Sequence, residues 1–370
     1  MKLCFFPGGQ GTFHSNLVDP TNREKLFLHL HNWLRLFSTV VIFLRDQAKE
    51  QVELPDGVSV PTSNLIGRCR RLDWLLFPLV FRHVIQSSDL LYFGFINIAL
   101  TGVLCKLLYH KPFVVSYTYV LSASLRQTGW RVQAILATWL ERIVFLWADV
   151  IIVGSPEIGE VVGRLIRRNR DKVWLRTHFV QTDLFAPKQD YALSRPARVL
   201  FVGRLVNREK NLFLLVNALA GLPDVELHVV GDGPDRQGMA ELARESGVVT
   251  HMHGRLDSGA VSQMMRSCDL LCLVSPREGI PKVLLEAMSC GLPCVGTNVF
   301  GITWLLRDGR GLLCEQDAED LRSKIRQTLA NQSLREEIGR KARAYIEANH
   351  TVEAVMEQEL NALNKALKLA

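Results

Sequence analysis

The sequence predicts an α/β protein built as two doubly wound, parallel-sheet domains that face a central cleft. Three observations carry this expectation. The chain has 370 residues, more than one ordinary core accommodates and enough for two domains of roughly 150 to 200 residues each. Short β-rich runs alternate with helical patterns along the whole length, the signature of parallel sheets flanked by helices. A polar stretch with two prolines and no apolar period, FAPKQDYALSRPAR at 185–198, separates the pattern into two complete sets and reads as a linker.

Taken in order, the first set offers strands at KLCFF, STVVIFL, DLLYFG, KPFVVSYT and DVIIVGS, with helical stretches between them. The second offers RVLFVGR, VELHVVG, LLCLVSP and PCVGTN. The expected bounds are 1–186 for the first domain and 187–345 for the second. A helical tail at 346–370 is expected to pack back on the first domain. Ligands of doubly wound folds bind outside the carboxyl ends of the strands, so the glycines and charges just after each strand are where chemistry is sought.

Composition supports a folded chain, with 48% hydrophobic and 22% charged residues. The opening MKLCFFPGGQ runs from an apolar strand straight into glycines, without the layout of a secretory signal, so a cytoplasmic location is expected. The uncharged run Leu90 to Cys105 has 16 residues, short of the ~20 that a spanning helix needs. The eight cysteines sit mostly in apolar runs, and their C-x3-C pairs lack zinc-site spacing. They read as small core residues, and no metal is expected. Charge is uneven: residues 1–187 hold 21 Lys and Arg against 14 Asp and Glu, whereas 188–370 hold 23 against 23. The first half therefore meets something anionic that the second does not.

The richest segment is SPREGIPKVLLEAMSCGLPCV, residues 275–295. Pro281 suits a helix start, Gly291 its C′ position, and Pro293 forbids continuation, which predicts a helix of about ten residues after a strand. The backbone N–H groups of Lys282, Val283 and Leu284 would then offer an anion site. Glu278 lies beside that site and Glu286 in the second turn. A carboxylate repels a phosphate, so both are better suited to accepting hydrogen bonds from hydroxyls, which sugars supply in pairs. Taken singly, each is also explained as an ordinary helix carboxylate. Gly203, Arg204, Arg208 and Lys210, at the end of RVLFVGR, place cations where a diphosphate could be held. The Gly231-x-Gly233 turn lacks the third glycine of a dinucleotide fingerprint.

EGIPKVLLEAMSCGLPCV resembles the Glu-x7-Glu motif of retaining GT-B glycosyltransferases of the family 4 type. PGGQGTFHSNL, ADVIIVGS, FVQTDLFAP, FVGRL followed by EKNL, VVGDGP, HGRL and GLL then appear in that family's order. The resemblance implies a nucleotide-sugar donor, UDP- or GDP-linked, held mainly by the second domain as substrate, with no bound cofactor or metal and with retention. Arg204 and Lys210 would bind the diphosphate, Glu286 the ribose, and Glu278 the transferred sugar. Gly279, Ile280, Lys282, Val283 and Leu284 would line the donor. The backbone of Gly254, Arg255 and Leu256 would meet the base. Gly8, Gly9, Gln10 and Gly11 would form the first-domain loop that closes on donor and acceptor.

Three departures from the family pattern stand out. Arg204 to Lys210 is one residue longer than usual, which leaves Arg208 as a competitor for the phosphate role. Tyr117-Thr118-Tyr119 stands where many members place a histidine. VFGITWLL keeps only Gly301 of a glycine pair. In the basic half, IGRCRRLDWLLFPLVFRHVIQ and GWRVQAILATWLERIVFLW mix arginines with Trp74, Phe77, Phe81, Trp130, Trp139 and Trp147, a composition that suits an anionic membrane surface. The acceptor is therefore expected to be a glycan or lipid-linked intermediate, as in cell-surface polysaccharide or glycolipid synthesis. Nucleic acid is not an expected partner, because no reader motif accompanies the charge. The alternative is a non-catalytic subunit of the same fold that activates a partner transferase.

Overall fold

The computed structural model describes residues 1–6, 20–43, 54–60, 73–118, 120–127, 129–167 and 170–369. Gly8 to Gly11, Arg68, Arg70, Arg71 and Tyr119 lie outside the described residues. The chain forms two units, one of Met1–Thr177 with Met356–Ala370 and one of His178–Val355.

The first unit holds a parallel sheet of β1 (Lys2–Phe6), β2 (Thr39–Ile42), β3 (Val58–Ser59), β4 (Leu90–Phe93), β5 (Phe113–Tyr117), β6 (Val150–Val153) and β7 (Val173–Leu175), in the order β3-β2-β1-β4-β5-β6-β7. Strands β4, β5 and β6 are buried at every position. This is what continuous apolar runs such as FVVSY require, since helices cover both faces of a parallel sheet. One face carries the helices Leu100–Tyr109 and Arg131–Trp147 over Phe93, Phe113 and Val115. On the other face Leu30, Trp33 and Phe37 join Leu363 and Ala366 of the C-terminal helix Val352–Lys368 over Leu3, Val40 and Val114.

The second unit holds β8 (Ala197–Val202), β9 (Val225–Val230), β10 (Val249–Gly254), β11 (Leu270–Leu273), β12 (Cys294–Thr297) and β13 (Leu312–Cys314), all parallel, in the order β10-β9-β8-β11-β12-β13. The order reverses between β8 and β11, where neighbouring connections leave on opposite faces and open a crevice. The seven described cysteines are all buried and unbridged.

By packing, the units divide at 177/178 and 355/356, beside the expected bounds of 186/187 and 345/346. Two expectations need correction. The supposed linker 185–198 is docked on the second unit. Phe185 is buried, and its carbonyl accepts from Ser289 Oγ at 2.8 Å and from Arg343 at 2.9 Å. The Tyr191 hydroxyl donates to the Gly291 carbonyl at 3.0 Å, and Lys188 N–H donates to Cys290 O at 2.9 Å. Of the aromatic residues in 66–86, Phe77 and Phe81 belong to the core and not to the surface.

The C-terminal helix is held to the first unit by a buried charge. Glu359 Oε2 meets His29 Nδ1 at 2.8 Å, while Oε1 meets Arg176 at 2.9 Å and accepts from Tyr92 OH at 3.2 Å. Burial alone would raise this carboxyl, but His29 and Arg176 outweigh it and hold its pKa at about 2.

Candidate active site

The loops that leave the carboxyl ends of β8, β9 and β10 are tied to one another through their backbones. Gly203 N–H donates to Val230 O at 2.9 Å, Leu205 N–H to Asp232 O at 3.0 Å, and Gly231 N–H to Gly254 O at 2.7 Å. Gly231 has φ +136, and a Cβ there would lie 1.8 Å from the Gly203 carbonyl oxygen. Its glycine is thus required by loop packing as well as by backbone conformation. The Gly231-x-Gly233 turn is a scaffold for the loop after β8.

That loop carries the cations. Residues 207–210 form one helical turn, closed by Asn211 in the left-handed region at φ 52. The turn aims Lys210 across the β8/β11 crevice, where its Nζ lies 2.5 Å from Glu278 Oε1. The extra residue before Lys210 is absorbed in this turn, and Lys210, not Arg208, meets Glu278. Arg208 is exposed and enters no ion pair among the described residues. Arg204 pairs with Glu209 at the surface. Such exposed pairs are worth about 0–1 kcal/mol, so Arg204 can exchange Glu209 for a ligand anion at little cost.

Glu278 follows β11 in a loop fixed from three sides. The Ser275 hydroxyl donates to Glu278 Oε1 at 2.8 Å, and Thr297 Oγ1 in turn donates to Ser275 O at 2.6 Å. On the third side, Gly301 opens the helix Phe300–Leu306 against the same loop. A Cβ on Gly301 would come within 1.2 Å of Gly279 O and 3.1 Å of Glu278 O. In the sequence Gly301 is only what remains of a glycine pair, and its close approach to this loop emerges from the fold. Both hydrogen bonds to Glu278 fall on Oε1, and Oε2 has no protein partner among the described residues. Gly301→Ala should shift Glu278 from Lys210 and cost ~1–3 kcal/mol as an overpacked contact. Urea unfolding together with an activity assay on the same variant checks both effects.

The helix after Glu278 runs Lys282–Ser289, with Cys290 as its C-cap and Gly291 at φ 65. Leu284 N–H donates to Pro281 O at 3.1 Å. That N–H is thus engaged within the first turn of the helix. Gly279 and Lys282 are exposed around this start, Ile280 and Val283 half-buried beside it. Glu286 is half-buried on the same helix. The backbone at Gly254, Arg255 and Leu256 continues β10, with Gly254 at φ 70 and Leu256 packed on the core.

In the first unit, Tyr117 is no substitute for a catalytic histidine. It is 1% exposed, and its hydroxyl donates to Glu141 Oε1 at 2.6 Å. The same carboxylate oxygen accepts from Ser122 N–H at 2.9 Å, so buried Glu141 fixes the segment after β5. Thr118 is exposed at the strand end.

Fold and site together define a class, the GT-B glycosyltransferase fold. Residues 187–345 match the family described as glycosyl transferases group 1, and the second unit belongs to that family. The chain is 28% identical over 224 residues to N-acetyl-alpha-D-glucosaminyl L-malate synthase of Bacillus anthracis, covering 57% of this chain and 58% of that one. It is 29% identical over 220 residues to the lipopolysaccharide core biosynthesis glycosyltransferase LpsE of Rhizobium meliloti, covering 58% and 64%. The matches thus span less than two thirds of these relatives. Among solved structures, Anabaena HepE in complex with UDP and glucose superposes with a TM-score of 0.69 at 20% identity, over 98% of this chain and 99% of that one.

Proposed function

We propose that the protein is a retaining glycosyltransferase that moves a sugar from a nucleoside diphosphate to a glycan or lipid-linked acceptor, with no metal in the transfer step. The observation that carries this is the Lys210–Glu278 pair at the β8/β11 crevice. Lys210 and Arg204 offer positive charge to a diphosphate, with the start of the helix Lys282–Ser289 as a third source. Charge that develops on a departing diphosphate is thereby met by donors already in place. Glu278 Oε2 can accept from a sugar hydroxyl and Glu286 from the ribose hydroxyls, while the 254–256 backbone meets the base. That HepE was solved with UDP and glucose makes UDP the first nucleotide to try.

A thermal-shift panel of UDP- and GDP-sugars tests this, because a donor that binds only the folded state raises its melting temperature by mass action. One donor should give a clear shift. Glu286→Ala should weaken that donor about tenfold, the scale of one hydrogen bond to a charged group. An unchanged affinity would remove the ribose from the role of Glu286.

The acceptor side we place at the cytoplasmic face of an anionic membrane, on the outward face of the helix Arg131–Trp147. Val132, Ile135, Leu136 and Trp139 are 57–69% exposed, and Trp130 before the helix is 59% exposed. A surface helix ordinarily shows water its polar side. This one is apolar on both faces, and the neighbouring helix adds exposed Leu107 and Leu108. The cations around it are Arg126, Arg131 and Arg142, with Lys106 paired to Asp149, while the one carboxylate of these helices, Glu141, is buried. Apolar and tryptophan contacts flanked by cations suit an anionic bilayer surface. No described helix is long and apolar enough to cross a membrane. In flotation at low salt, the protein should rise with vesicles containing phosphatidylglycerol and stay down with purely zwitterionic ones. Trp139→Glu with Leu136→Glu should abolish flotation, and retention of binding by that variant would refute the assignment of this face.

A further inference from the structure

We infer that the outer strands of the second unit carry a binding site for a divalent transition metal such as zinc, formed by Glu226, His228 and His251, with His253 orienting His228. The strand geometry creates it. Glu226 and His228 lie two apart on β9 and so point to one face, as do His251 and His253 on β10. The parallel register sets His228 directly opposite His251. Three imidazoles and a carboxylate are thereby gathered where two neighbouring strands ordinarily present β-branched or simple polar residues.

The distances match a coordination shell. Glu226 Oε1 lies 2.9 Å from His228 Nε2, and its Oε2 lies 3.1 Å from His251 Nε2. One nitrogen or oxygen from each of the three residues falls within 4.8 Å of the others. Zinc bonds to nitrogen and oxygen are ~2.0–2.2 Å, so ligand atoms around one tetrahedral ion stand roughly 3.4 Å apart, close to what these side chains already show. His228 Nδ1 lies 3.0 Å from His253 Nε2. Metal-bound histidines usually fix their second nitrogen by such a contact, which selects the tautomer and ring orientation. The rings of His228 and His253 are stacked at 8° with centroids 5.2 Å apart, so the arrangement is already ordered.

One group opposes the ion. Arg198 Nε lies 3.3 Å from Glu226 Oε1, with the arginine 44% exposed. Its guanidinium can turn to solvent or stay as an outer partner of the carboxylate. Its charge makes the expected affinity weaker than that of a dedicated structural zinc site. The Nε2/Nε2/carboxylate donor set with an open position suits zinc, and also nickel and copper, better than calcium or magnesium. The ion would tie the edge strand β10 to β9 three residues before Gly254, whose carbonyl anchors Gly231. The site is thus a clasp on the edge of the sheet and takes no part in the transfer step.

The test uses the full chain without a histidine tag, stripped of metal by chelator and titrated with zinc chloride in a calorimeter at neutral pH. The inference expects one zinc per chain and a raised melting temperature. His251→Ala and Glu226→Gln, each checked for native circular dichroism, should weaken binding at least tenfold and lose the thermal shift. His251 is 46% exposed, so its removal leaves the fold intact. The absence of saturable binding would overturn the site, as would equal binding by wild type and both variants. Both results are independent of any glycosyl donor, so they stand apart from the transferase reading.

Discussion

Glu278→Ala should abolish sugar transfer while the protein remains folded and still binds nucleoside diphosphate. The carboxylate stands in a loop fixed by Ser275, Thr297 and Gly301, so its side chain can be removed without unfolding the helix that follows. Lys210→Ala should lower kcat by about 10²–10³-fold, the scale for losing one pre-placed donor to developing negative charge. Because the two side chains touch, their effects should not add. The double variant should be hardly slower than the worse single variant, as for residues that act as a unit. Steady-state kinetics on all three variants, with melting temperatures in parallel, reads this directly. Additive losses would mean that Lys210 and Glu278 act in separate places.

The second large effect concerns stability. Glu359→Gln should destabilise the first unit by ~3–5 kcal/mol, the usual cost of removing one partner of a buried ion pair. The change leaves Arg176 buried without its carboxylate and breaks the tie between the C-terminal helix and His29. The pH dependence follows from the carboxyl itself. Its folded pKa of about 2 is below the ordinary 4.5, so its contribution is fully present above pH 4.5 and is lost as pH falls through 2. Urea unfolding followed by tryptophan fluorescence should therefore show wild type losing stability over that acid interval. The variant should lack that component. Equal acid sensitivity of the two proteins would remove Glu359 from the account.

What the sequence made legible follows from the strength of its local signals. The helix Lys282–Ser289 was readable because Pro281 and Gly291 mark both ends and a buried strand precedes it. The central strands were readable because their runs are apolar throughout. Edge strands β3, β7, β10 and β13 were not, being short or half-exposed. In β10 the outward positions are Val249, His251 and His253 and the inward ones Thr250 and Met252, so an apolar residue outside and a polar one inside mask the alternation that marks a strand. The segment 185–198 looked like a linker because it is polar and proline-containing, yet it is held by single anchors such as Phe185 and Tyr191 that leave no periodic trace.

The candidate site divides the same way. Glu278, Glu286, Arg204 and Lys210 were visible as residue types near strand ends. Which cation meets Glu278 was not, because Lys210 lies 68 residues away and the contact depends on β8 and β11 being neighbours. Glu359 does leave a signal in the sequence. It occupies the apolar stripe Val355, Ala362, Leu363 and Ala366 of its helix, a position where a lone carboxylate must find a buried cation. The histidine cluster is hidden in the sequence because its members come from two strands, one of which, β10, carries no clear strand pattern.

The central claim is that the β8/β11 crevice, with Lys210 at its edge, holds a nucleoside diphosphate. Calorimetric titration of UDP and GDP into wild type and Lys210→Ala tests it most directly. One of the two nucleotides should bind wild type at one site per chain, and the variant should bind it about 10- to 100-fold more weakly, the range for removing a charge-assisted contact to phosphate. Failure of both nucleotides to bind wild type, or equal affinity for the variant, would contradict the account.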